Sequence, residues 1–303
     1  MIGPIRLSEE VGEALIRQRP VVALETSVLA QGLPDPQNRE AAEAMAGAIR
    51  ARGAVPAWIA VDAGSVRVGL AETDLARLAV PGVAAKVARR DLPVVVASRE
   101  LGATTVSAAV WAAHRAGIDV LATGGIGGVH RRSGDVSADL LELAATPALV
   151  VCSGPKSIVD PEATMERLEE LGVSVAGYRC DRLPFFVSGY ADIALEHRVD
   201  TPAAAAAVAL ALRELGVDSS VLLCNPVSDD VAVDPEAVAD AVRACTEDAV
   251  GRGIRGKNVT PFLLSCLAER TGGQSLRANL ALLEGNAGLA AEVASAVASA
   301  ARS

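Results

Sequence analysis

Lysine is nearly absent from this 303-residue chain, in which three lysines stand beside 25 arginines among the 28 basic residues. Arginine cannot lose its proton in a protein, whereas a lysine amine that is shielded from water can do so and attack a carbonyl carbon. Lys156 lies in the segment CSGPKS (152–157), which directly follows the apolar residues 148–151. Lys156 is therefore the first candidate nucleophile, and an ammonium that only pairs with a carboxylate or a helix end is the alternative.

Other scarcities exclude whole classes of protein. Aromatic residues make up 2% of the chain, and no uninterrupted apolar run approaches the roughly 20 residues that cross a bilayer. The N-terminal segment leads directly into a polar, helix-like pattern and lacks the regions of a secretory signal. With a net charge of −9, the chain also lacks the basic surface that binds a nucleic-acid polymer. We therefore expect a soluble, cytoplasmic protein that binds neither membranes nor nucleic-acid polymers.

Cysteine is infrequent and irregularly placed. The five cysteines are widely spaced, odd in number and form no C-x-x-C pair. This spacing favours neither a disulfide framework nor a zinc site. We expect buried core thiols at all five positions, which are Cys152, Cys180, Cys224, Cys245 and Cys266.

Strand-like and helix-like segments alternate along the chain, which predicts an α/β fold. Val/Leu-rich runs are typical of strands that are covered on both faces, and they occur at residues 20–24, 55–61, 94–96, 119–122, 148–152, 173–176 and 221–224. Helix starts are indicated by the capping residues Ser8, Asn38 and Asp160, the last followed by Pro161.

From about residue 235 the pattern is entirely helical, and we expect this region to pack over one side of the sheet or against a neighbouring subunit. No linker or fixed-period repeat divides the chain. We predict a single domain over residues 1–303 with three α/β/α layers, a mostly parallel central sheet and a helical C-terminal region.

In such a sheet, ligands bind beyond the carboxyl ends of the strands. That rule selects Glu25, the glycine-rich residues 123–128, Lys156 and Asn225. The glycine run either brings backbone amides close to a phosphate or forms a tight turn. Neither this run nor residues 251–258 match the dinucleotide or Walker motifs, so NAD and ATP are not expected.

Two carboxylates follow the glycine run. Asp135 and Asp139 lie four residues apart beside Ser137, a pattern that suits a hard divalent cation with few protein ligands and several waters. The alternative is ordinary capping, in which Asp135 or Ser137 starts a helix over residues 138–145. His130 is likewise either a base or a residue that hydrogen-bonds within the loop.

Nine segments appear in an order that is specific to one enzyme family. They are ALETS (23–27), GLPDPQN (32–38), KVARRDLP (86–93), GATTV (102–106), TGGIGGVHR (123–131), DVSADL (135–140), SGPKSI (153–158), GKNVTPFLL (256–264) and SLRANLAL (275–282). Over about residues 8–295 the sequence resembles the pseudouridine-5'-phosphate glycosidase family, also called indigoidine synthase A-like. The resemblance implies an α/β/α fold, a homotrimer, and the reversible making or breaking of a carbon–carbon glycosidic bond at C1 of ribose 5-phosphate.

The resemblance also implies residue roles. Lys156 would form an imine with the sugar, and Glu25 would donate a proton. Asp135 would hold a divalent metal, typically Mn²⁺. The residues implied to contact the sugar phosphate or the waters of the metal are Lys86, Val106, Ser137, Ala138 and Asp139, with Asn279 close by and with Thr123 and His130 in less defined roles.

The implied chemistry agrees with these residue types. A C-glycosidic bond offers no leaving oxygen to protonate, so the carboxylate pair of ordinary glycosidases contributes little. An iminium formed by Lys156 at C1 supplies an electron sink, and Glu25 can move protons between the ring oxygen and the reacting carbon. Lys86 and the metal would provide the positive field that holds an open-chain phosphosugar.

Departures from the family pattern concern the acceptor. Gln31 stands where relatives commonly have histidine, Pro155 replaces a smaller residue, and the stretches after His130 and over residues 183–190 are shorter. We therefore expect a C-glycosynthase that joins ribose 5-phosphate to an aromatic polyketide, as in antibiotic biosynthesis. Cleavage of pseudouridine 5'-phosphate to uracil and ribose 5-phosphate is the alternative. A phosphosugar Schiff-base aldolase and a non-catalytic sugar-phosphate-binding protein are the others.

Overall fold

Thirteen strands lie in the part of the chain that the computed structural model describes, residues 5–131 and 135–300. They are β1 (Ile5–Leu7), β2 (Val21–Glu25), β3 (Val55–Asp62), β4 (Ser65–Val68), β5 (Ala85–Val87), β6 (Gly102–Thr104), β7 (Val120–Ala122), β8 (Leu149–Cys152), β9 (Ser174–Tyr178), β10 (Arg182–Pro184), β11 (Tyr190–Ala194), β12 (His197–Val199) and β13 (Val221–Cys224).

Eleven of these strands form one sheet in the order β1-β4-β3-β2-β7-β8-β13-β9-β12, with β6 pairing both β3 and β5. Every neighbouring pair from β3 to β12 in this order is parallel, whereas β4 and β6 run antiparallel to β3. The strands β10 and β11 form a separate antiparallel pair. The prediction of a mostly parallel sheet is confirmed.

Helices cover both faces of the sheet. They are α1 (Glu9–Ile16), α2 (Gln37–Arg50), α3 (Glu72–Leu78), α4 (Leu92–Ser98), α5 (Val106–Ala116), α6 (Ala138–Leu143), α7 (Pro161–Glu170), α8 (Pro202–Leu215), α9 (Pro235–Gly251), α10 (Val259–Arg270) and α11 (Gln274–Ala300). Short 3₁₀ turns occur at Arg89–Asp91, Phe186–Ser188 and Gly256–Asn258, and a π-helical turn occurs at Val28–Gly32.

Alternate residues of β2 enter two different cores, which is why the chain folds into three layers. Val22 and Leu24 pack with α2 and α8 to α11, whereas Val21 and Ala23 pack with α1 and α4 to α7. Successive side chains of a strand point to opposite faces, so a continuous apolar run needs a helical layer on each side. The predicted α/β/α architecture is confirmed.

Two of the three predicted helix caps form. Ser8 Oγ accepts a hydrogen bond from the Val11 N–H at 3.3 Å, and Asp160 Oδ1 accepts one from the Ala163 N–H at 3.1 Å. The predicted cap at Asn38 is wrong, because α2 begins one residue earlier. The buried Asn38 amide instead donates to the backbone carbonyl oxygens of Leu29 and Ala79, at 3.0 and 2.9 Å.

The strand predicted at residues 94–96 is also wrong. These valines belong to α4, which has Pro93 in its first turn, and Val94 is 69% exposed. Proline fits the start of a helix, where its missing N–H is not needed, and a side chain so exposed cannot belong to a strand buried on both faces. The strands of this region are β5 and β6, which lie on either side of α4 in the sequence.

The expectation of five free thiols is wrong for one pair. Cys245 and Cys266 form a disulfide that joins α9 to α10, with a Cα–Cα distance of 5.8 Å. The two helices pack against each other and bring positions 21 residues apart into contact. The spacing of the cysteines along the chain does not indicate this contact. Cys152, Cys180 and Cys224 are free and buried, as expected.

The C-terminal helix α11 lies against the sheet, where it packs on β2, β7 and β8. By length and composition it could cross a membrane, with a mean hydropathy of 1.2, but 56% of that apolar window is buried within the protein. Asn286 of this helix is fully buried and donates a hydrogen bond to the Thr123 carbonyl oxygen at 2.9 Å. The helix is a core element that covers one side of the sheet, which confirms the first of the two placements predicted for it.

Candidate active site

A cavity lies at the carboxyl ends of β2, β7 and β8, the edge at which a parallel sheet binds ligands. All eleven residues predicted for the site line this cavity, namely Glu25, Lys86, Val106, Thr123, His130, Asp135, Ser137, Ala138, Asp139, Lys156 and Asn279. Asn225, which the strand-end rule also selected, does not line it; its amide donates to Asn286 Oδ1 at 3.0 Å.

Glu25 is the last residue of β2, and its carboxyl group is held on both oxygens. Oε2 accepts hydrogen bonds from the Ser27 hydroxyl at 2.8 Å and the Val28 N–H at 3.0 Å, and Oε1 accepts one from the Thr123 hydroxyl at 3.4 Å. Burial raises the pKa of Glu25 above its ordinary value, although the positive charge of Lys156 opposes this shift. A carboxyl group that stays protonated to higher pH is suited to donate a proton.

Lys156 follows β8 in a loop that interlocks with the glycine run. The Lys156 N–H donates to the Ile126 carbonyl oxygen at 3.0 Å, and the Ile126 N–H donates to the Gly154 carbonyl oxygen at 3.1 Å. The side-chain Nζ of Lys156 donates a hydrogen bond to the carbonyl oxygen of Gly125. Backbone contacts from the ends of two neighbouring strands thus hold the Lys156 amine at the wall of the cavity.

The glycine run permits close packing rather than presenting a set of open amides. A Cβ atom on Gly127 would lie 2.3 Å from Ser137 Oγ, and one on Gly125 would lie 2.9 Å from the Gly154 carbonyl oxygen. The Gly127 N–H already donates to Asp139 Oδ2 at 2.9 Å. The Gly127 N–H therefore serves a carboxylate of the protein itself rather than an open phosphate site.

Asp139 organises the cavity through the backbone. Its Oδ1 accepts a hydrogen bond from the Ser107 N–H at 3.1 Å, while its Oδ2 holds Gly127. Ser137 caps α6, since its Oγ accepts the Asp139 N–H at 3.2 Å. The carboxylate of Asp139 thus joins the first turn of α5 to the glycine run, and both of its oxygens are engaged.

The metal ligand predicted from the sequence is Asp135, and each oxygen of its neighbour Asp139 already accepts one backbone N–H. Across residues 5–131 and 135–300, no group of three or more His, Cys, Asp or Glu side chains could hold a metal ion. A hard, oxygen-liking divalent cation that keeps most of its waters needs few protein ligands, so a carboxylate such as Asp135 fits it, whereas a closed zinc-type site needs three or four ligands.

Lys86 and His130 are both shifted towards their neutral forms. Burial lowers the pKa of Lys86, and the positive charge of Lys156 lowers it further. Burial also lowers the pKa of His130. The Nδ1 atom of His130 is buried without a hydrogen-bond partner in the described structure. An anionic ligand would stabilise the charged form of Lys86, and a hydrogen-bonding ligand would give His130 Nδ1 a partner.

Lys257 lines the same cavity and was not predicted as a site residue. Its Nζ donates to Asp91 Oδ2 at 2.8 Å and to the Lys86 carbonyl oxygen at 3.1 Å. The scarcity of lysine would have revealed it, because all three lysines of the chain line this one cavity.

An apolar part of the cavity wall was also missed, and it consists of Phe186, Pro261, Leu264 and Leu283. These side chains come from the Phe186–Ser188 turn, α10 and α11. In the sequence they look like ordinary core residues, so no local signal distinguishes them.

The sequence profile of the indigoidine synthase A-like protein family matches residues 10–296. The chain belongs to this family. Its relatives include a protein of Symbiobacterium thermophilum named pseudouridine-5'-phosphate glycosidase, which is 46% identical over 295 residues, covering 95% of this chain and 96% of that protein. A Myxococcus xanthus protein of the same name is 49% identical over 298 residues, covering 97% and 98%.

Two solved structures of the family have the same fold. The crystal structure of the prealnumycin C-glycosynthase AlnA in complex with ribulose 5-phosphate matches with a TM-score of 0.90 and 38% identity, covering 98% of each chain. An indigoidine synthase A-like protein from Thermotoga maritima matches with a TM-score of 0.89 and 34% identity, covering 97% of this chain and 96% of that one. Family membership and fold are thus shown together over nearly the full length.

Proposed function

We propose that this family member is a pseudouridine-5'-phosphate glycosidase, which cleaves the carbon–carbon bond between uracil and C1 of ribose 5-phosphate. The observation that carries the proposal is that the Lys156 amine lines one cavity with the buried Glu25, whose pKa is raised by burial. The names of the relatives support this substrate over a polyketide acceptor, because full-length relatives at 43–49% identity share the glycosidase name.

In the proposed reaction, Glu25 protonates the ring oxygen as the Lys156 amine bonds to C1 and the ring opens. Glu25 then takes up a proton from the new ammonium group and passes it to C5 of uracil. The C1–C5 electron pair goes to uracil, while the nitrogen lone pair forms the iminium. Water adds to the iminium and releases ribose 5-phosphate and the free amine of Lys156, and the proton set free in this step returns to Glu25.

The remaining predicted residues would bind the sugar phosphate. Lys86 would pair with the phosphate, and the backbone of Val106 together with residues 137–139 would contact the phosphosugar. Asp135 would hold a divalent cation, in this proposal Mn²⁺, which would supply positive charge opposite the anionic substrate. We also propose that the protein is a homotrimer and that it is located in the cytoplasm.

A second candidate is C-ribosylation of an aromatic acceptor. The full-length match to AlnA favours it, as does the apolar wall formed by Phe186, Leu264 and Leu283, which suits a ring larger than uracil. In this direction the aromatic carbon attacks the Lys156 iminium at C1 and then loses its proton to Glu25, which passes it to the lysine nitrogen. The open-chain hydroxyl closes the ring, displaces the protonated lysine amine and gives its own proton to Glu25.

Uracil release from pseudouridine 5'-phosphate distinguishes the two candidates. We expect turnover with kcat/KM of about 10⁴ M⁻¹s⁻¹ or more, within the ordinary range for enzymes. Negligible release, together with a C-ribosylated hydroxynaphthoquinone detected by mass spectrometry, would favour the second candidate. The absence of both products and of any borohydride-trapped adduct with ribose 5-phosphate would refute both.

A further inference from the structure

The π-helical turn Val28–Gly32 places the side chain of Gln31 in the cavity wall. The first residue of this turn is hydrogen-bonded to the carboxyl group proposed as the proton donor, since Glu25 Oε2 accepts the Val28 N–H at 3.0 Å. π-Helical turns are rare and are found frequently at functional sites. Gln31 is thereby held in a fixed relation to Glu25.

The orientation of the Gln31 amide follows from its partner. Its Nε2 donates a hydrogen bond to the Ala84 carbonyl oxygen at 3.1 Å, and only the NH₂ end of a carboxamide can donate to a carbonyl. The other atom, Oε1, is therefore an acceptor, and it is buried without a hydrogen-bond partner in the described residues. A buried polar atom of this kind is costly unless a ligand satisfies it.

The position of the turn indicates which part of the substrate this acceptor meets. Helix α10 packs against the π turn, and the same helix contributes Pro261 and Leu264 to the apolar part of the cavity wall. Gln31 therefore lines the same cavity as the apolar surface of the helix that packs on its turn. A phosphate is a poor partner, because its oxygens would face a carbonyl-type oxygen that has no proton to donate.

We propose that Gln31 is a specificity-determining residue whose Oε1 accepts a hydrogen bond from an N–H or O–H of the aglycone. The inference rests on the proposed function and specifies the aglycone class: a ring that carries a hydrogen-bond donor. Uracil supplies N–H groups, and a hydroxylated aromatic supplies O–H groups. A ring with only acceptors would leave two facing acceptors in the cavity and be rejected.

Gln31→Met tests the inference, because it keeps the length of the side chain and removes the acceptor. We expect kcat/KM for pseudouridine 5'-phosphate to fall about 10-fold to 100-fold, the range for leaving a buried donor unpaired. Borohydride trapping of ribose 5-phosphate, which has no aglycone, should be unchanged. Gln274→Met is the matched control, since Gln274 is exposed and lies outside the cavity, and it should behave as wild type.

Synthesis from ribose 5-phosphate with methylated uracils adds a second readout. Methylation removes one N–H from each of 1-methyluracil and 3-methyluracil. The wild type should prefer uracil to the compound that lacks the N–H bound by Gln31. Gln31→Met should not show that preference. If Gln31→Met leaves kcat/KM for pseudouridine 5'-phosphate unchanged, the inference about Gln31 is overturned and the proposed function is not affected. Reduced trapping of ribose 5-phosphate also overturns it, because Gln31 would then bind a sugar hydroxyl. A wild type that neither cleaves pseudouridine 5'-phosphate nor traps ribose 5-phosphate overturns the proposed function itself.

Discussion

Lys257 donates a hydrogen bond from its side-chain amine to the backbone carbonyl oxygen of Lys86, 3.1 Å away. The same amine pairs with Asp91 at 2.8 Å, and Asp91 in turn accepts the Ala88 N–H at 2.9 Å. One side chain from the segment before α10 therefore fastens the strand that carries Lys86. The Lys86 side chain owes its place in the cavity to this contact as well as to the sheet.

We predict that Lys257→Met raises KM for the sugar phosphate, with a loss in kcat/KM of about tenfold, because the backbone that carries Lys86 loses a charge-assisted hydrogen bond. Lys257→Arg should recover part of the loss, since a guanidinium can still reach a carboxylate. Arg255→Met is the control, because Arg255 is exposed in the same segment and does not line the cavity. A fall in kcat alone, with KM unchanged, would contradict this positioning role.

Lys156→Arg is expected to lose activity by at least about 10³-fold, because a guanidinium keeps the charge but cannot act as a nucleophile. Borohydride reduction in the presence of ribose 5-phosphate should add a stable sugar phosphate to the wild type. Peptide mapping should locate this adduct at residue 156. An adduct located at Lys86 in an active enzyme would refute the assignment.

Glu25→Gln should abolish turnover and yet stabilise the fold at neutral pH. Because burial raises the pKa of Glu25 in the folded protein, the unfolded chain releases this proton first. Stability therefore falls as pH rises from the unfolded pKa to the folded pKa, and the penalty is complete above both. Gln removes that penalty, so we expect Tm to rise by about 2–4 °C at pH 7 to 8 and by less at pH 4. Equal Tm differences at the two pH values would contradict this account.

Chelation should remove activity, and Mn²⁺ should restore it, if Asp135 holds a divalent cation that keeps most of its waters. Asp135→Asn should raise the Mn²⁺ concentration needed for half-maximal activity by about 10-fold or more. Glu247→Gln, on the exposed face of α9, is the control and should leave that concentration unchanged. Full turnover by protein shown to be metal-free would exclude the requirement.

The sequence predicts the centre of the site better than its walls. Glu25 and Lys156 follow continuous apolar runs, and in a parallel sheet the ends of such runs converge on one edge, so local pattern and general topology are sufficient. The wall residues Phe186 and Leu264 come from a 3₁₀ turn and from α10, which only tertiary packing brings to the cavity and which no periodicity encodes. The valine run at 94–96 misleads for a related reason, because burial rather than β-branching decides whether such a run forms a strand.

Contacts between distant segments likewise could not be predicted from the sequence. Asn38 looks like a helix cap, but the folded chain offers it two carbonyl oxygens from separate elements. Cys245 and Cys266 look unrelated until α9 and α10 lie side by side. Such contacts depend on tertiary geometry and override local preference.

The confinement of lysine to one cavity makes the protein chemically unusual towards amine reagents. Lys86, Lys156 and Lys257 carry all of its ε-amines, and the other 25 basic side chains are guanidinium groups. Acylating labels, aldehyde cross-linkers and amine-coupling resins modify the outer surface of most proteins through lysine. In this protein, apart from the α-amino group, they can react only with these three amines. Because Lys257 is exposed, acylation located at Lys86 or Lys156 is what reports whether the cavity is occupied.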